Sequence, residues 1–341
     1  MKIGFYNYYR TYNNNRMFMD MASPIGDNLS YPFVYLREYA KNRDIHVSTI
    51  DTEPLDSYDA IVFLDFPQKN NKYFKNLIKT GFKNIFLVLC ESEIIRPDNY
   101  DIKNHKYFKK IFTWKDNLVD NEQYLKYFLP NKIQPFDISE INCKKKLVTL
   151  IAGHKYHSHP KELYSERINA IRWFEKNHPN DFDLYGFGWD EYRFGDKLSI
   201  FNYDKLKFIR KRIRQNFPSH VGSVESKHNT LKNYKFAICY ENAIDISGYI
   251  TEKIFDCFFA GCIPIYLGPK NVYEQIPENT FIDKRKFGTY EELYSFISQM
   301  SDDEYMKYIE NIGIFLNSDR ITPFSAEYFA ETLIDQILMD V

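Results

Sequence analysis

The chain is expected to be an α/β protein with a parallel sheet in each half, and three observations predict this. Short β-like apolar runs alternate with helical patterns from one end to the other. Two of these runs, "LVTLIA" (147–152) and "IPIYLG" (263–268), are continuously apolar, as strands covered on both faces are. A stretch without periodicity, "LPNKIQPFDISEINCKKK" (129–146), holds two prolines and a lysine cluster and divides the alternation into two series.

In the first series the strand candidates are Lys2–Tyr6, His46–Ile50, Ala60–Phe66, Asn84–Cys90 and Ile111–Trp114. In the second they are Lys146–Ala152, Phe182–Tyr185, Phe236–Tyr240 and Cys262–Leu267. Helical patterns lie between them at Asn28–Lys41, Tyr73–Lys79 and Glu166–Lys176. The C-terminal part reads as helical. Thr289-x-x-Glu292 and Ser301-x-x-Glu304 are capping-box patterns ahead of apolar periodicity, and Thr322-Pro323 is expected to open a last helix. The 341 residues suit two domains, 1–140 and 141–341, the second including the C-terminal helices. Two such domains are expected to leave a central cleft. Open parallel sheets bind ligands beyond the carboxyl ends of their strands, so the loops there are where chemistry is sought.

Composition excludes several classes. Apolar content of 44% and charged content of 27% fit a soluble globular protein. A net charge of −1 disfavours nucleic acid as a partner. No window reaches 18 consecutive apolar residues, and the N-terminus lacks a signal-peptide core, so a cytoplasmic chain is expected. Five cysteines (Cys90, Cys143, Cys239, Cys257, Cys262) are odd in number, lack zinc-site spacing and read as buried free thiols. Aromatic content of 18% is high. Such rings can stack on sugars, but Lys, Asn, Ile, Tyr and Phe are abundant together, which makes compositional drift the simpler account.

The strand "FAICY" ends at Glu241-Asn242, and a helix beginning near Thr251 ends at Gly261. Its unpaired N–H groups and dipole offer a place for a diphosphate. Lys253 can add a charge to a phosphate, Asn242 can donate to an oxygen, and Glu252 can accept two ribose hydroxyls. Tyr249 can stack on a ligand or hydrogen-bond it. Equally, Glu252 is simply a first-turn acid favoured by the dipole, with Lys253 solvated. The strand "NIFLVLC" ends at Glu91-Ser92-Glu93, where a carboxylate suits a general base or a plain polar loop. Arg167 starts the helix after "LVTLIAG", as a phosphate clamp or a surface cation.

Other motifs carry less. His154, His157 and His159 do not have the spacing of a zinc site, so no metal is expected there. Asp181-Phe182-Asp183 lies at the wrong end of its strand to hold a metal on a bound ligand. The stretch 203–217, "YDKLKFIRKRIRQNF", carries six basic residues with Leu206, Ile209 and Ile213. It reads as a solvated helix face or as a peripheral contact with membrane or glycolipid. Gly-rich phosphate loops are absent, which disfavours ATP and NAD.

Residues 234–283 run "YKFAICYENAIDISGYITEKIFDCFFAGCIPIYLGPKNVYEQIPENTFID". This stretch resembles the donor-binding signature of family 10 glycosyltransferases, the α1,3/α1,4-fucosyltransferases. The family pattern has Tyr-Lys-Phe, an apolar strand, Phe-Glu-Asn, a short loop, Tyr-(Ile/Val)-Thr-Glu-Lys, then Ala-Gly-x-(Ile/Val)-Pro-(Ile/Val) and Gly-Pro. "LVLCESEIIRPDNYD", "KIFTWKDNLV" and "LYSERINAIRWFEK" extend the likeness from about residue 85 to 285. The resemblance implies the GT-B fold, two Rossmann-like domains facing a central cleft. Residues 1–140 would form the acceptor side and 141–341 the donor domain. It further implies GDP-β-L-fucose as donor, inversion at the anomeric carbon, a glycan acceptor and no required metal, a divalent ion being at most stimulatory. It assigns Asn242, Tyr249, Glu252, Lys253 and Arg167 to the donor, and Glu91 to the base, with Glu93 as rival. The implied product is an α1,3 linkage in a lipopolysaccharide or Lewis-type oligosaccharide, made in bacterial or viral cytoplasm, at the inner membrane face if the contact through 203–217 is made. An inactive carbohydrate-binding relative and a GT-B transferase for another nucleotide sugar are the competing functions.

Overall fold

The structure is a computed structural model that describes residues 1–19, 27–136, 138, 146–192, 194, 206–213 and 215–341. Its contacts divide the chain into two units. Unit 1 comprises Met1–Ile133, Ser247–Tyr249 and Asp319–Val341, and unit 2 comprises Gln134–Ile246 and Ile250–Ser318.

Unit 1 is built on strands β1 (Lys2–Tyr6), β2 (His46–Thr49), β3 (Ala60–Leu64), β4 (Ile85–Leu89), β5 (Lys110–Thr113) and β6 (Tyr124–Lys126). They form one parallel sheet in the order β2-β1-β3-β4-β5-β6. Every residue of β3 and β4 is buried, as two-sided coverage requires. Helix α1 (Tyr31–Lys41) precedes β2, and α2 (Lys72–Thr80) precedes β4. Helix α2 forms where it does because Asn71 caps it, accepting the N–H of Tyr73 and Phe74 at 3.0 Å each. Gly81 stops it at φ +72°. Phe74 and Leu77 of α2 pack with Phe63, Phe66 and Phe108 in the core, each such burial stabilising by roughly 1.5–3 kcal/mol.

Unit 2 holds β7 (Lys146–Ile151), α3 (Tyr164–Asn177), β8 (Phe182–Tyr185), α4 (Lys207–Arg212), β9 (His220–Gly222), α5 (Lys227–Leu231) and β10 (Tyr234–Tyr240). Then follow α6 (Glu252–Phe259), β11 (Ile263–Leu267), α7 (Val272–Gln275), β12 (Ile282–Asp283), α8 (Tyr290–Ser298) and α9 (Asp302–Leu316). The sheet is parallel, in the order β12-β11-β10-β7-β8-β9, the doubly wound arrangement of dinucleotide-binding folds. Both expected capping boxes form, at Thr289/Glu292 and Ser301/Glu304.

The C-terminus corrects the sequence reading twice. Helix α10 (Ala326–Asp340) belongs to unit 1, not to the second half of the chain, and packs on α1, with Phe329 edge-on to Phe33 at 6.0 Å. Thr322-Pro323 does not open it, because both residues lie in a 3-10 turn, Asp319–Phe324. Ser325 has the extended backbone a cap needs and accepts the Tyr328 N–H at 3.0 Å. The short edge strands β6, β9 and β12 lack any apolar run long enough to be read in advance. Among the described residues no helix is long and apolar enough to cross a membrane.

Candidate active site

In unit 2 the order of strands reverses between β7 and β10, and ligands of open sheets bind at such a switch point. The residues assigned to the donor in the sequence gather there, except Tyr249, while Glu91 and Glu93 lie in unit 1. Strand β10 delivers Glu241 and Asn242 at its carboxyl end. Helix α3, following β7, brings Arg167, which is buried. Its Nη2 donates to the carbonyls of Tyr240 (2.6 Å) and Glu241 (2.7 Å) and to Asn242 Oδ1 (3.1 Å). The guanidinium is therefore seated on the end of β10 rather than lying on the surface.

Glu241 organises the start of α6, a role the sequence reading missed although the residue stands beside Asn242. The carboxylate is fully buried. It accepts the N–H and the hydroxyl of Thr251 at 2.8 Å each, the Tyr266 hydroxyl at 3.1 Å and Lys253 Nζ at 3.1 Å. Thr251 caps α6 and also takes a hydrogen bond from Lys253 Nζ at 2.8 Å. Burial opposes the charge on Lys253, yet Glu241 and Glu252 outweigh it and raise the pKa, while Arg167 works in the opposite sense. Two cations near enough to repel one another mark a place that favours an anion.

Glu252, with its side chain 41% exposed, keeps its carboxylate accessible. Burial pushes its pKa up, but Lys253 and Lys227 prevail and hold it at about 2. Lys227 is a second residue the sequence did not signal, since only folding brings α5 beside α6. Its Nζ pairs with Asp256 at 2.9 Å.

Tyr249 is placed differently. Ser247–Tyr249 belong to unit 1, where the buried Tyr249 ring lies 4.7 Å from Trp114. Ser247 donates to Asp116 at 2.8 Å. Between them Gly248 has φ +80°, and a Cβ there would stand 2.2 Å from the Trp114 carbonyl oxygen, so only glycine fits.

In unit 1, Glu91 lies two residues past the end of β4 and is half-buried. The loop carrying it is held by Asp65, a buried residue with φ +62° at the end of β3. Asp65 Oδ1 accepts the N–H of Cys90 (2.7 Å) and Glu91 (3.0 Å) and the Asn99 side chain (2.7 Å). Asn99 and the Tyr100 hydroxyl donate to the Glu91 carbonyl at 3.2 and 3.1 Å. Burial raises the pKa of Asp65 despite these donors. Glu93 Oε1 pairs with Lys115 at 2.8 Å.

Two of the remaining motifs make contacts within unit 2. His154 stacks on Trp189 at 4.5 Å, and His159 Nδ1 accepts the Lys161 N–H at 3.1 Å. Asp181 accepts the Tyr294 hydroxyl at 2.7 Å, while Asp183 pairs with Lys146. Among the described residues no group of acidic, His and Cys side chains could hold a metal. Cys90, Cys239, Cys257 and Cys262 are in no disulfide; Cys143 lies outside the described residues.

Two parallel Rossmann-like sheets of this kind make the fold that of GT-B glycosyltransferases. The chain is similar to an α1,3-fucosyltransferase solved with GDP (TM-score 0.54, 15% identity, covering 99% of this chain and 90% of that one). It is also similar to Anabaena HepE solved with UDP and glucose (TM-score 0.57, 13% identity, covering both chains completely). Residues 210–311 match the family described as glycosyltransferase family 10 (fucosyltransferase), C-terminal region. Over 76 residues the chain is 37% identical to an Arabidopsis thaliana α-(1,4)-fucosyltransferase, covering 22% of this chain and 19% of the relative. Over 78 residues it is 35% identical to the Helicobacter pylori α-(1,3)-fucosyltransferase FucT, covering 23% and 16%. Over 156 residues it is 35% identical to a Xenopus laevis GDP-fucose protein O-fucosyltransferase 3, covering 44% and 32%. The chain thus spans between a sixth and a third of the length of these curated relatives.

Proposed function

We propose that the protein is an inverting glycosyltransferase that moves L-fucose from GDP-β-L-fucose to a hydroxyl of a glycan. The observation that carries this reading is the cluster at the switch point of unit 2. Arg167, Asn242 and Lys253 meet there around the capped start of α6, and most of the cluster lies inside the family-matched region. Two mutually repelling cations and a helix N-terminus suit a diphosphate. The accessible, strongly ionised Glu252 suits the ribose hydroxyls. Tyr249 belongs to the same donor set by its place in the motif.

The chemistry follows. Glu91 takes the proton of the acceptor hydroxyl as its oxygen bonds to the anomeric carbon of fucose. The bond from that carbon to GDP breaks on the opposite face. Negative charge grows on the leaving diphosphate, where Arg167, Lys253 and the α6 N–H groups stabilise it without a required metal. Glu91 is assigned as base by its place in the motif, with Glu93, whose Oε1 pairs with Lys115 at 2.8 Å, as the rival.

The acceptor is proposed to be a lipopolysaccharide-type or Lewis-type oligosaccharide fucosylated in α1,3 linkage. A polypeptide hydroxyl is the second reading, favoured by the 156-residue match to the protein O-fucosyltransferase. Peripheral contact with a membrane or glycolipid at a cytoplasmic inner-membrane face completes the proposal. What supports it is the exposure of Phe208, Ile209 and Ile213 beside the exposed Lys211 and Arg212 of α4. Residues 203–205 and 214 of that stretch lie outside the described residues.

The test is thermal stabilisation without added metal by GDP, GDP-fucose, GDP-mannose and UDP-glucose. A rise for GDP and GDP-fucose alone is expected. A response to another nucleotide sugar instead would reject fucose, and no response to any would reject the transferase reading.

A further inference from the structure

Glu91 stands in a loop, yet its main chain is held as a strand residue's would be. Strands β3 and β4 lie side by side, and just past β3 the chain turns at Asp65, with φ +62°, whose own N–H donates to the Val88 carbonyl at 2.8 Å. Among residues with a side chain, Asp and Asn tolerate this left-handed conformation best. The turn carries the Asp65 carboxylate to the end of β4, where a single oxygen takes the Cys90 N–H, the Glu91 N–H and the Asn99 amide. On the other side of the Glu91 Cα, the Glu91 carbonyl accepts the Asn99 amide at 3.2 Å and the Tyr100 hydroxyl at 3.1 Å. With the planar peptide groups before and after it both held, the direction of the Glu91 Cα–Cβ bond is set as well.

The holding groups are themselves anchored. Asn99 is fully buried, and its Oδ1 accepts the Phe66 N–H at 2.7 Å. Its carbonyl meets His105 Nε2 at 2.8 Å, so that nitrogen carries the proton, since a carbonyl can only accept. Burial lowers the pKa of the His105 ring, which leaves Nδ1 to accept the Tyr124 hydroxyl at 2.9 Å. Arg96 Nη2 donates to the Phe66 carbonyl at 2.6 Å, and its charge partly offsets the burial of Asp65. A buried carboxylate costs stability, and a loop needs none merely to close. What this one adds is a fixed direction for a single side chain, that of Glu91.

We propose that Asp65 and Asn99 are positioning residues of the transfer reaction, acting through Glu91 by holding it where an acceptor hydroxyl gives up its proton. The inference rests on the reading of Glu91 as the base. In it neither residue touches a substrate, so their removal lowers kcat and leaves donor binding alone. Misplacing a reacting group by about 1 Å costs on the order of a hundredfold.

The experiment is steady-state fucose transfer from GDP-fucose to N-acetyllactosamine by the full chain, joined to hydrogen–deuterium exchange of its backbone amides. Asp65→Ala is expected to lower kcat by about a hundredfold with KM for GDP-fucose unchanged. Asp65→Asn keeps the acceptor oxygen and the backbone preference, and is expected to recover most of that loss. In a Glu91→Gln background Asp65→Ala should cost nothing further, because residues that act as a unit are not additive. A merely structural role would instead cost the same factor with or without Glu91. That equal loss, or an unchanged kcat in Asp65→Ala, would overturn the proposal. Should Asp65→Ala not fold, Tyr100→Phe removes only the hydroxyl that holds the Glu91 carbonyl. A few-fold lower kcat is then expected, and an unchanged one overturns the proposal equally. Exchange at the Cys90 and Glu91 amides is expected to quicken in Asp65→Ala while that of β4 does not, and unaltered exchange would deny that Asp65 holds the loop. Transfer that survives Glu91→Gln would instead sink the reading of Glu91 as base, a failure the exchange data do not share.

Discussion

At the switch point of unit 2 the side chains that meet are charged: Arg167 on the carbonyls that end β10, Lys253 on Glu241, and Lys227 on Asp256. At the switch point of unit 1 they are mostly rings and amides around a cavity, with the Asp65–Asn99–Glu91 network at the neighbouring strand ends. Both sites obey one topological rule, that a parallel sheet opens a crevice where its strand order reverses. What differs is what the loops put into it. A topology decides where a ligand binds, and the residues at the strand ends decide which ligand it is.

This contrast can be broken at either unit. The largest effect is expected from Glu91→Gln. It should lower kcat for transfer by on the order of 10²–10⁴-fold while leaving GDP affinity unchanged. If Glu93→Gln does this instead, the base has been assigned to the wrong carboxylate. Next comes Lys253→Ala, which removes a charged donor from the site and leaves Glu241 without its cation. GDP binding measured by calorimetry should weaken on the order of ten- to a hundredfold. Unchanged binding would deny unit 2 its donor role.

Smaller effects sharpen the picture. Gly248→Ala forces a Cβ onto the Trp114 carbonyl at φ +80°. It should cost about 1–3 kcal/mol, read as a lowered Tm. A variant as stable as the parent would mean the loop can take another path. The smallest effect concerns pH. The Glu252 pKa is held at about 2 against an ordinary 4.5, so the stability it contributes is fully present above pH 4.5 and is lost as the pH falls through 2. Acid-unfolding curves of Glu252→Gln and the parent should converge across that window. Curves that stay parallel would place the lysines out of its reach. Solvent screening of a side chain 41% exposed keeps this effect modest.

Much of this was legible in advance, for identifiable reasons. The continuous apolar runs gave β3, β4, β7, β10 and β11 to within two residues at either end, because burial on both faces leaves no room for polar residues. Asn242, Glu252 and Lys253 were legible because one strand–loop–helix segment carries all three. Arg167 and Asn242 stand 75 residues apart and were brought within 3.1 Å only by the pairing of β7 with β10.

The sequence by itself determined the alternation of strands and helices, the capping boxes and the donor-type motif, since each depends on residues near one another in the chain. Tertiary structure alone decided that the last helix joins unit 1, that Glu241 counters Lys253, that Lys227 stands beside Glu252, and that four tyrosines are among the residues lining one cavity. The physical reason is range. Propensity and periodicity act over a few residues, whereas burial and charge pairing act between whichever groups the packed sheets bring within a few ångströms.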